Sequence, residues 1–146
     1  MNKDSKIYVA GHRGLVGSAI WQNLLSKGYT RLVGRTHSEL DLLDPVAVRR
    51  FFDEEQPEYV FLAAAFVGGI MANSIYRADF IYKNLQIQQN VIGESFRHGV
   101  KKLLFLGSTC IYPRDAALES LATTRLRCSV LLMPMVRLTM AQLFST

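Results

Sequence analysis

An α/β fold, in which helices wind both faces of a parallel sheet, is what this sequence predicts, and three observations predict it. Short apolar runs at residues 7–10, 59–63 and 102–107 alternate with segments of helical period. A glycine triplet, Gly11, Gly14 and Gly17, falls between the first apolar run and the first helical segment. Small or chemically useful residues gather just after the apolar runs, at the strand carboxyl ends where sheets of this kind bind ligands.

Strand one is Ile7-Tyr8-Val9-Ala10, apolar throughout as a parallel strand buried on both faces should be. Gly11 lets the chain turn sharply off its end. Gly14 leaves the backbone bare where N–H groups must approach a pyrophosphate, and Gly17 lets the new helix pack close to the strand. The helix start then offers oriented N–H groups and a partial positive charge to phosphates. This is a dinucleotide-binding turn of a Rossmann-type doubly wound sheet, with glycines spaced more widely than in G-x-G-x-x-G. Helix one is expected at residues 15–26, with Leu15, Ala19, Trp21, Leu24 and Leu25 as its apolar stripe and Lys27-Gly28 as its stop.

Strand two is short, at residues 31–34, and leads into Arg35-Thr36-His37. The end of this strand selects the cofactor: a carboxylate there accepts from the adenosine ribose hydroxyls, whereas a cation pairs with a 2′-phosphate. Arg35 and His37 stand at that position, Arg13 lies in the glycine turn, and no carboxylate appears before Glu39. NADP is therefore expected in preference to NAD; the competing reading of Arg35 is a solvated surface cation. Asp41 and Leu42 can flank an adenine ring, the leucine on its face and the carboxylate at its edge. Asp44 also reads as the cap of a second helix at residues 45–54, with Pro45 in its first turn and Val46, Val48, Phe51 and Phe52 inward.

Strand three, residues 59–63, runs into Ala64-Ala65-Phe66-Val67-Gly68-Gly69, where small side chains allow either a flat ligand or ordinary tight packing. A long helix follows at about residues 79–98, with Phe80, Leu85, Ile87, Val91, Ile92 and Phe96 as buried candidates and Gln86, Gln88, Gln89 and Asn90 between them. Strand four, residues 102–107, ends in Ser108-Thr109-Cys110-Ile111-Tyr112-Pro113. Ser108 there can hydrogen-bond a substrate oxygen. Cys110 is either an acid or base with a tuned thiol or a packed core cysteine.

Composition narrows the function classes. The chain of 146 residues is 49% hydrophobic and 20% charged, as a single globular domain should be. Its net charge of +5 is scattered rather than striped, which argues against nucleic acid. The polar start and the absence of a run of about 20 apolar residues argue against a signal peptide or a membrane span. Cys110 and Cys128 form no disulfide framework and no zinc spacing, so no metal is expected and a reducing, cytoplasmic setting is.

Four stretches in one order, AGHRGLVGSAI at 10–20, RTHSELDLLD at 35–44, FLAAAFVGGIMANSIYRADFIYKNLQIQQNVI at 61–92 and KKLLFLGSTCIYP at 101–113, resemble the GDP-L-fucose synthases, which are extended short-chain dehydrogenase/reductases. The resemblance implies epimerisation at C3 and C5 of a GDP-4-keto-6-deoxy-D-mannose, then reduction of its C4 ketone by NADPH. It implies that Cys110 is an epimerisation base and that Ser108 assists at the ketone. It matches the loop Gly11, His12, Arg13, Gly14, Leu15, Val16, Gly17 to cofactor-binding stretches, together with His37, Asp41 and Leu42 and with Leu106, Gly107, Ser108 and Thr109. Arg35 and Ala64 join this set from the strand-end arguments above. A homodimer formed through the long helix is also implied.

Departures from that family are equally legible. Phe66 stands where the family often has lysine. The Y-x-x-x-K pair that donates the proton in ketone reduction is not found: Ala116 lies four residues after Tyr112, and no lysine follows Lys102. His98 is the last histidine, so the family's downstream catalytic histidine is missing, as is its carboxyl-terminal substrate domain. Residues 1–113 thus read as an incomplete NADP-binding Rossmann domain and 114–146 as a divergent tail. A shifted reading around Met133-Pro134-Met135-Val136 yields a pattern compatible with the family's downstream N-x-Y-G-P, as a deletion with a frameshift would leave. The expected activity is that of a GDP-L-fucose synthase relative inactive as a reductase; the alternative is a catalytically silent NADP(H)-binding module or subunit.

Overall fold

The computed structural model describes residues 1–106. The proposed positions Gly107, Ser108, Thr109 and Cys110, and the tail at 114–146, lie outside the described residues. Four strands, β1 (Ile7–Ala10), β2 (Leu32–Val33), β3 (Tyr59–Leu62) and β4 (Lys102–Phe105), pair in parallel in the order β2-β1-β3-β4. Helices α1 (Leu15–Ser26), α2 (Pro45–Glu55), α3 (Ile70–Ile75) and α4 (Arg77–Arg97) connect them.

Strand alternation divides the core into two layers. Ile7 and Val9 of β1 and Phe61 of β3 point to the side where Leu24, Ile20 and Trp21 of α1 pack. Tyr8, Ala10, Val60, Leu62 and Leu103 point to the other, against Val48, Phe51 and Phe52 of α2 and Ile87 and Val91 of α4. The sheet is therefore covered on both faces, as the uninterrupted apolar strands require. The order of connections reverses between β1 and β3, so the crevice outside the carboxyl ends of these two strands is where ligands enter folds of this kind.

Several expectations need correction. The inward face of α1 is Gly17, Ile20, Trp21 and Leu24, while Leu15 (90% exposed), Ala19 and Leu25 face outward. Val46 of α2 is 74% exposed, because it sits beside the cap and off the stripe through Val48, Phe51 and Phe52. On α4, Leu85 and Phe96 are exposed, and the inward positions at the end of the helix are instead Glu94 and Ser95. The short helix α3 was not expected. Leu40, unassigned from sequence, is buried in the larger layer with Leu42 and Leu43 packed against it.

Buried Glu94 is balanced by charge from α2 and from its own helix. Arg49 of α2 approaches its carboxylate at 3.4 Å, and Arg97 pairs with it from the next turn of α4. His98, at the end of α4, donates its ring Nε2–H to the Asp53 carboxylate of α2 at 2.9 Å. These contacts fix α2 against α4 beneath the sheet's larger core layer.

Candidate dinucleotide site

The glycine turn is built by contacts that exclude side chains. Gly11 has φ of 81°, and a Cβ there would lie 2.8 Å from the Ala64 backbone nitrogen. A Cβ on Gly17 would fall 2.0 Å from the Gly11 carbonyl oxygen. The first turn of α1 therefore rests directly on the turn leaving β1, which Gly14 closes by donating to the Gly11 carbonyl at 2.9 Å. Gly14 is the cap residue of α1, and no side chain caps that end; α2, by contrast, has Asp44 accepting from the Val46 and Ala47 N–H groups. An uncapped helix start with no acidic residue in its first turn is open to an anion.

The other candidates gather around this turn. The His12 ring lies against Gly34 at the end of β2, where a Cβ would meet the ring at 2.6 Å, and 5.3 Å from the Trp21 ring centre. Its Nδ1 is buried and finds no hydrogen-bond partner among the described residues. Burial, helped by the neighbouring Arg13 charge, holds the imidazole pKa below its ordinary value, so the ring is neutral near pH 7. His12 thus ties the glycine turn to the end of β2.

Arg13 is exposed, and so are Leu15 and Val16 beside it at the start of α1. Arg35 leans over the Phe51 ring, 5.7 Å from its centre, and pairs with Glu55, whose other oxygen receives Lys6 at 3.0 Å. Between the two arginines, Glu39 accepts from both the backbone and the hydroxyl of Thr36 at 2.7 Å. Those bonds, the backbone one foremost, hold its carboxyl below the usual range, and the Arg35 and Arg13 charges add to the effect. The first acid after that strand end in the chain is therefore ionised and turned onto Thr36.

The segment carrying His37, Asp41 and Leu42 is held from both sides. Asp41 accepts from the Leu43 N–H at 2.9 Å and lies 3.7 Å from the His37 ring. Gln86 and Asn90 of α4 donate to the Leu43 and Leu42 carbonyls at 3.1 and 2.8 Å. Gln86 and Asn90 thus have a structural purpose: they satisfy an irregular segment that carries no strand ladder.

Ala64 and Leu106 complete the crevice at the ends of β3 and β4, Leu106 donating to the Leu62 carbonyl at 3.3 Å. The structure brings Gly11 to Ala64 and His12 to the end of β2. Sequence reasoning missed Asn84, which bonds the Phe66 backbone through both its N–H and its C=O at 2.8 Å. Phe66 itself stacks 4.9 Å from Phe80 under the Lys83 ammonium. The turn, the bare helix start and the neighbouring cations fit a phosphate-bearing dinucleotide. Among the described residues there is no metal-binding cluster and no helix long and apolar enough to cross a membrane.

Comparison with known proteins agrees with this geometry. The model of the NAD dependent epimerase/dehydratase family matches residues 7–128. GDP-L-fucose synthase 1 of Arabidopsis thaliana is 63% identical over 115 residues, covering 79% of this chain and 36% of that protein. GDP-L-fucose synthase of Escherichia coli is 54% identical over 111 residues, covering 76% and 35%. Among solved structures, the GDP-mannoheptose C4 reductase MlghC of Campylobacter jejuni with NADP bound superposes with a TM-score of 0.77 at 52% identity, over 81% of this chain and 35% of that one. The GDP-L-fucose synthetase of Naegleria fowleri bound to NADP gives 0.71 at 30% identity, over 80% and 38%. The chain spans about a third of the length of the curated relatives it matches.

Proposed function

The chain belongs to the NAD dependent epimerase/dehydratase family, and on that premise we propose that residues 1–113 form the NADP(H) site of a GDP-L-fucose synthase-type epimerase and reductase. The observation that carries the reading is the seat of Gly17 on the Gly11 carbonyl, which leaves the uncapped start of α1 at the mouth of the crevice. The α1 N–H groups and the bare backbone of Gly14 would hold the pyrophosphate. Arg13 and Arg35 would meet the 2′-phosphate, and Leu42 with Asp41 would border the adenine. Ala64 and Leu106, with Gly107, Ser108 and Thr109, would line the rest.

When bound, NADPH is the hydride source for a ketone. The sugar substrate is a GDP-4-keto-6-deoxy-D-mannose, with Cys110 the base for epimerisation at C3 and C5 and Ser108 the partner of the ketone oxygen. The Y-x-x-x-K pair is not among these residues, so the part proposed for them is the binding of NADPH. Exposed Ile81, Tyr82 and Leu85 on α4 support pairing of two copies through that helix.

Calorimetric titration with NADPH, with NADH as control, tests the reading. Saturable NADPH binding with clearly weaker NADH binding is the expected result. A folded sample that binds neither nucleotide overturns it.

A further inference from the structure

We propose that Asn84 is a positioning residue that sets the wall of the crevice on which the nicotinamide half of the dinucleotide rests. The sheet ladder stops just after β3, where Ala63 donates to the Ala10 carbonyl at 3.0 Å. Beyond it the chain is irregular, and the backbone of Phe66 has no strand to pair with. Asn84, 18 residues away on α4, takes the place of a strand. Its Oδ1 accepts from the Phe66 N–H, and its Nδ2 donates to the Phe66 carbonyl and to the Phe80 carbonyl, each at 2.8 Å. Only a primary amide supplies an acceptor and two donors in this way.

The clamp has no slack around it. The Phe66 ring lies against Phe80, and a Cβ on Gly68 would meet the Phe80 ring at 2.7 Å. Two residues before Phe66, Ala64 is the residue that Gly11 touches. Asn84 therefore holds α4 to a segment that begins at the glycine turn and lines the β3 side of the crevice. In a doubly wound fold the pyrophosphate lies over the first turn and the adenosine half over β2, so the other half extends towards β3 and β4.

The inference rests on the NADP(H) reading, and its test separates the two. Full-length Asn84→Asp and Asn84→Ala proteins are compared with the parent in three measurements: affinity for NADPH, affinity for adenosine 2′,5′-bisphosphate, and amide hydrogen exchange at Phe66. Aspartate removes both donations, and alanine removes every bond. Each variant is expected to lose about ten-fold in NADPH affinity and to keep its affinity for the bisphosphate within about two-fold. Exchange at Phe66 should quicken in Asn84→Ala, and far less in Asn84→Asp, whose carboxylate still accepts from the Phe66 N–H, while the far-ultraviolet dichroism is unchanged in both. Equal loss of both ligands, loss of neither, or unchanged exchange at Phe66 in Asn84→Ala overturns the proposal. If the parent binds neither ligand, the NADP(H) reading fails and the nicotinamide role falls with it, while the exchange measurement still decides whether Asn84 holds the segment.

Discussion

Replacing Arg13 by alanine should weaken NADPH binding far more than replacing Arg35, although both cations border the position that selects the cofactor. Arg13 is exposed, and a charge-assisted hydrogen bond to phosphate is worth about 1.5–3 kcal/mol. Its loss corresponds to roughly a 10- to 150-fold fall in affinity. Arg35 starts from a different place: its guanidinium pairs with Glu55 and lies over Phe51. The pair is partly screened by solvent, with Arg35 38% and Glu55 20% exposed, so it is worth up to about 1 kcal/mol. Contact with the Phe51 ring adds about 0.5–1 kcal/mol. Arg35 must forgo most of that to reach a phosphate, which leaves a net effect of about five-fold. Glu55→Gln releases Arg35 and should strengthen NADPH binding about two- to five-fold with NADH unchanged. Isothermal titration of the three variants with both nucleotides reads these values. The reasoning is refuted if Arg35→Ala loses as much as Arg13→Ala, or if Glu55→Gln leaves NADPH affinity where it was.

Gly17→Ala should lower stability by about 3 kcal/mol or more, because its methyl group overlaps the Gly11 carbonyl and the whole start of α1 must shift; the midpoint of urea unfolding measures it. Gly14→Asp should separate folding from binding. Its φ of −73° suits any residue, an aspartate cap contributes a few tenths of a kcal/mol, and the new Cβ crowds the Gly11 carbonyl oxygen at 3.3 Å, yet the aspartate places a carboxylate on the N–H groups meant for phosphate; thermal melting should fall far less than in Gly17→Ala while NADPH binding falls at least ten-fold. His98 gives a pH dependence. Burial opposes its charged form, but the Asp53 hydrogen bond, the Glu94 backbone carbonyl and the charges of Asp53 and Glu94 outweigh it and raise the pKa above 6.5. Its contribution is then fully present below that ordinary value and lost as pH rises through the folded pKa. His98→Gln should flatten the unfolding midpoint across that window, and an unchanged slope would count against the assignment.

What was legible in the sequence is what depends on neighbours along the chain. β1, α1, the glycine turn and the Asp44 cap all follow from a few consecutive residues, and their bounds agree with the structure to within a residue. The rotation of α1 was not legible, because one contact fixes it: Gly17 must sit on the Gly11 carbonyl, and that turns Ile20, Trp21 and Leu24 towards β1 and sends Leu15 and Leu25 outward. Buried Glu94 was hidden for a related reason. Its partner Arg49 is 45 residues away, so nothing in its own helix distinguishes it from a solvated acid. Arg35 was read correctly as a cation at the end of β2, but its engagement by Glu55 depends on how α2 lies across the sheet. Asn84 gave no local signal, since both groups it holds on Phe66 lie 18 residues away in an irregular segment.

The difference between α1 and α2 links stability to the proposed function. Both helices leave N–H groups without partners in their first turn. Asp44 answers that need at α2 from within the chain, and the helix is complete as it stands. At α1 the residue in the same place is Gly14, with no side chain to offer and no acid in the turn after it. A serine or aspartate there suits the φ of −73°, and its Cβ would lie 3.3 Å from the Gly11 carbonyl oxygen, a tight contact that asks for a small shift rather than forbidding a side chain. Gly11 and Gly17 are a different case: their contacts with Ala64 and with the Gly11 carbonyl forbid any larger residue whether or not a ligand binds. Two of the three glycines are thus required by packing, and the middle one is explained by the anion it leaves room for.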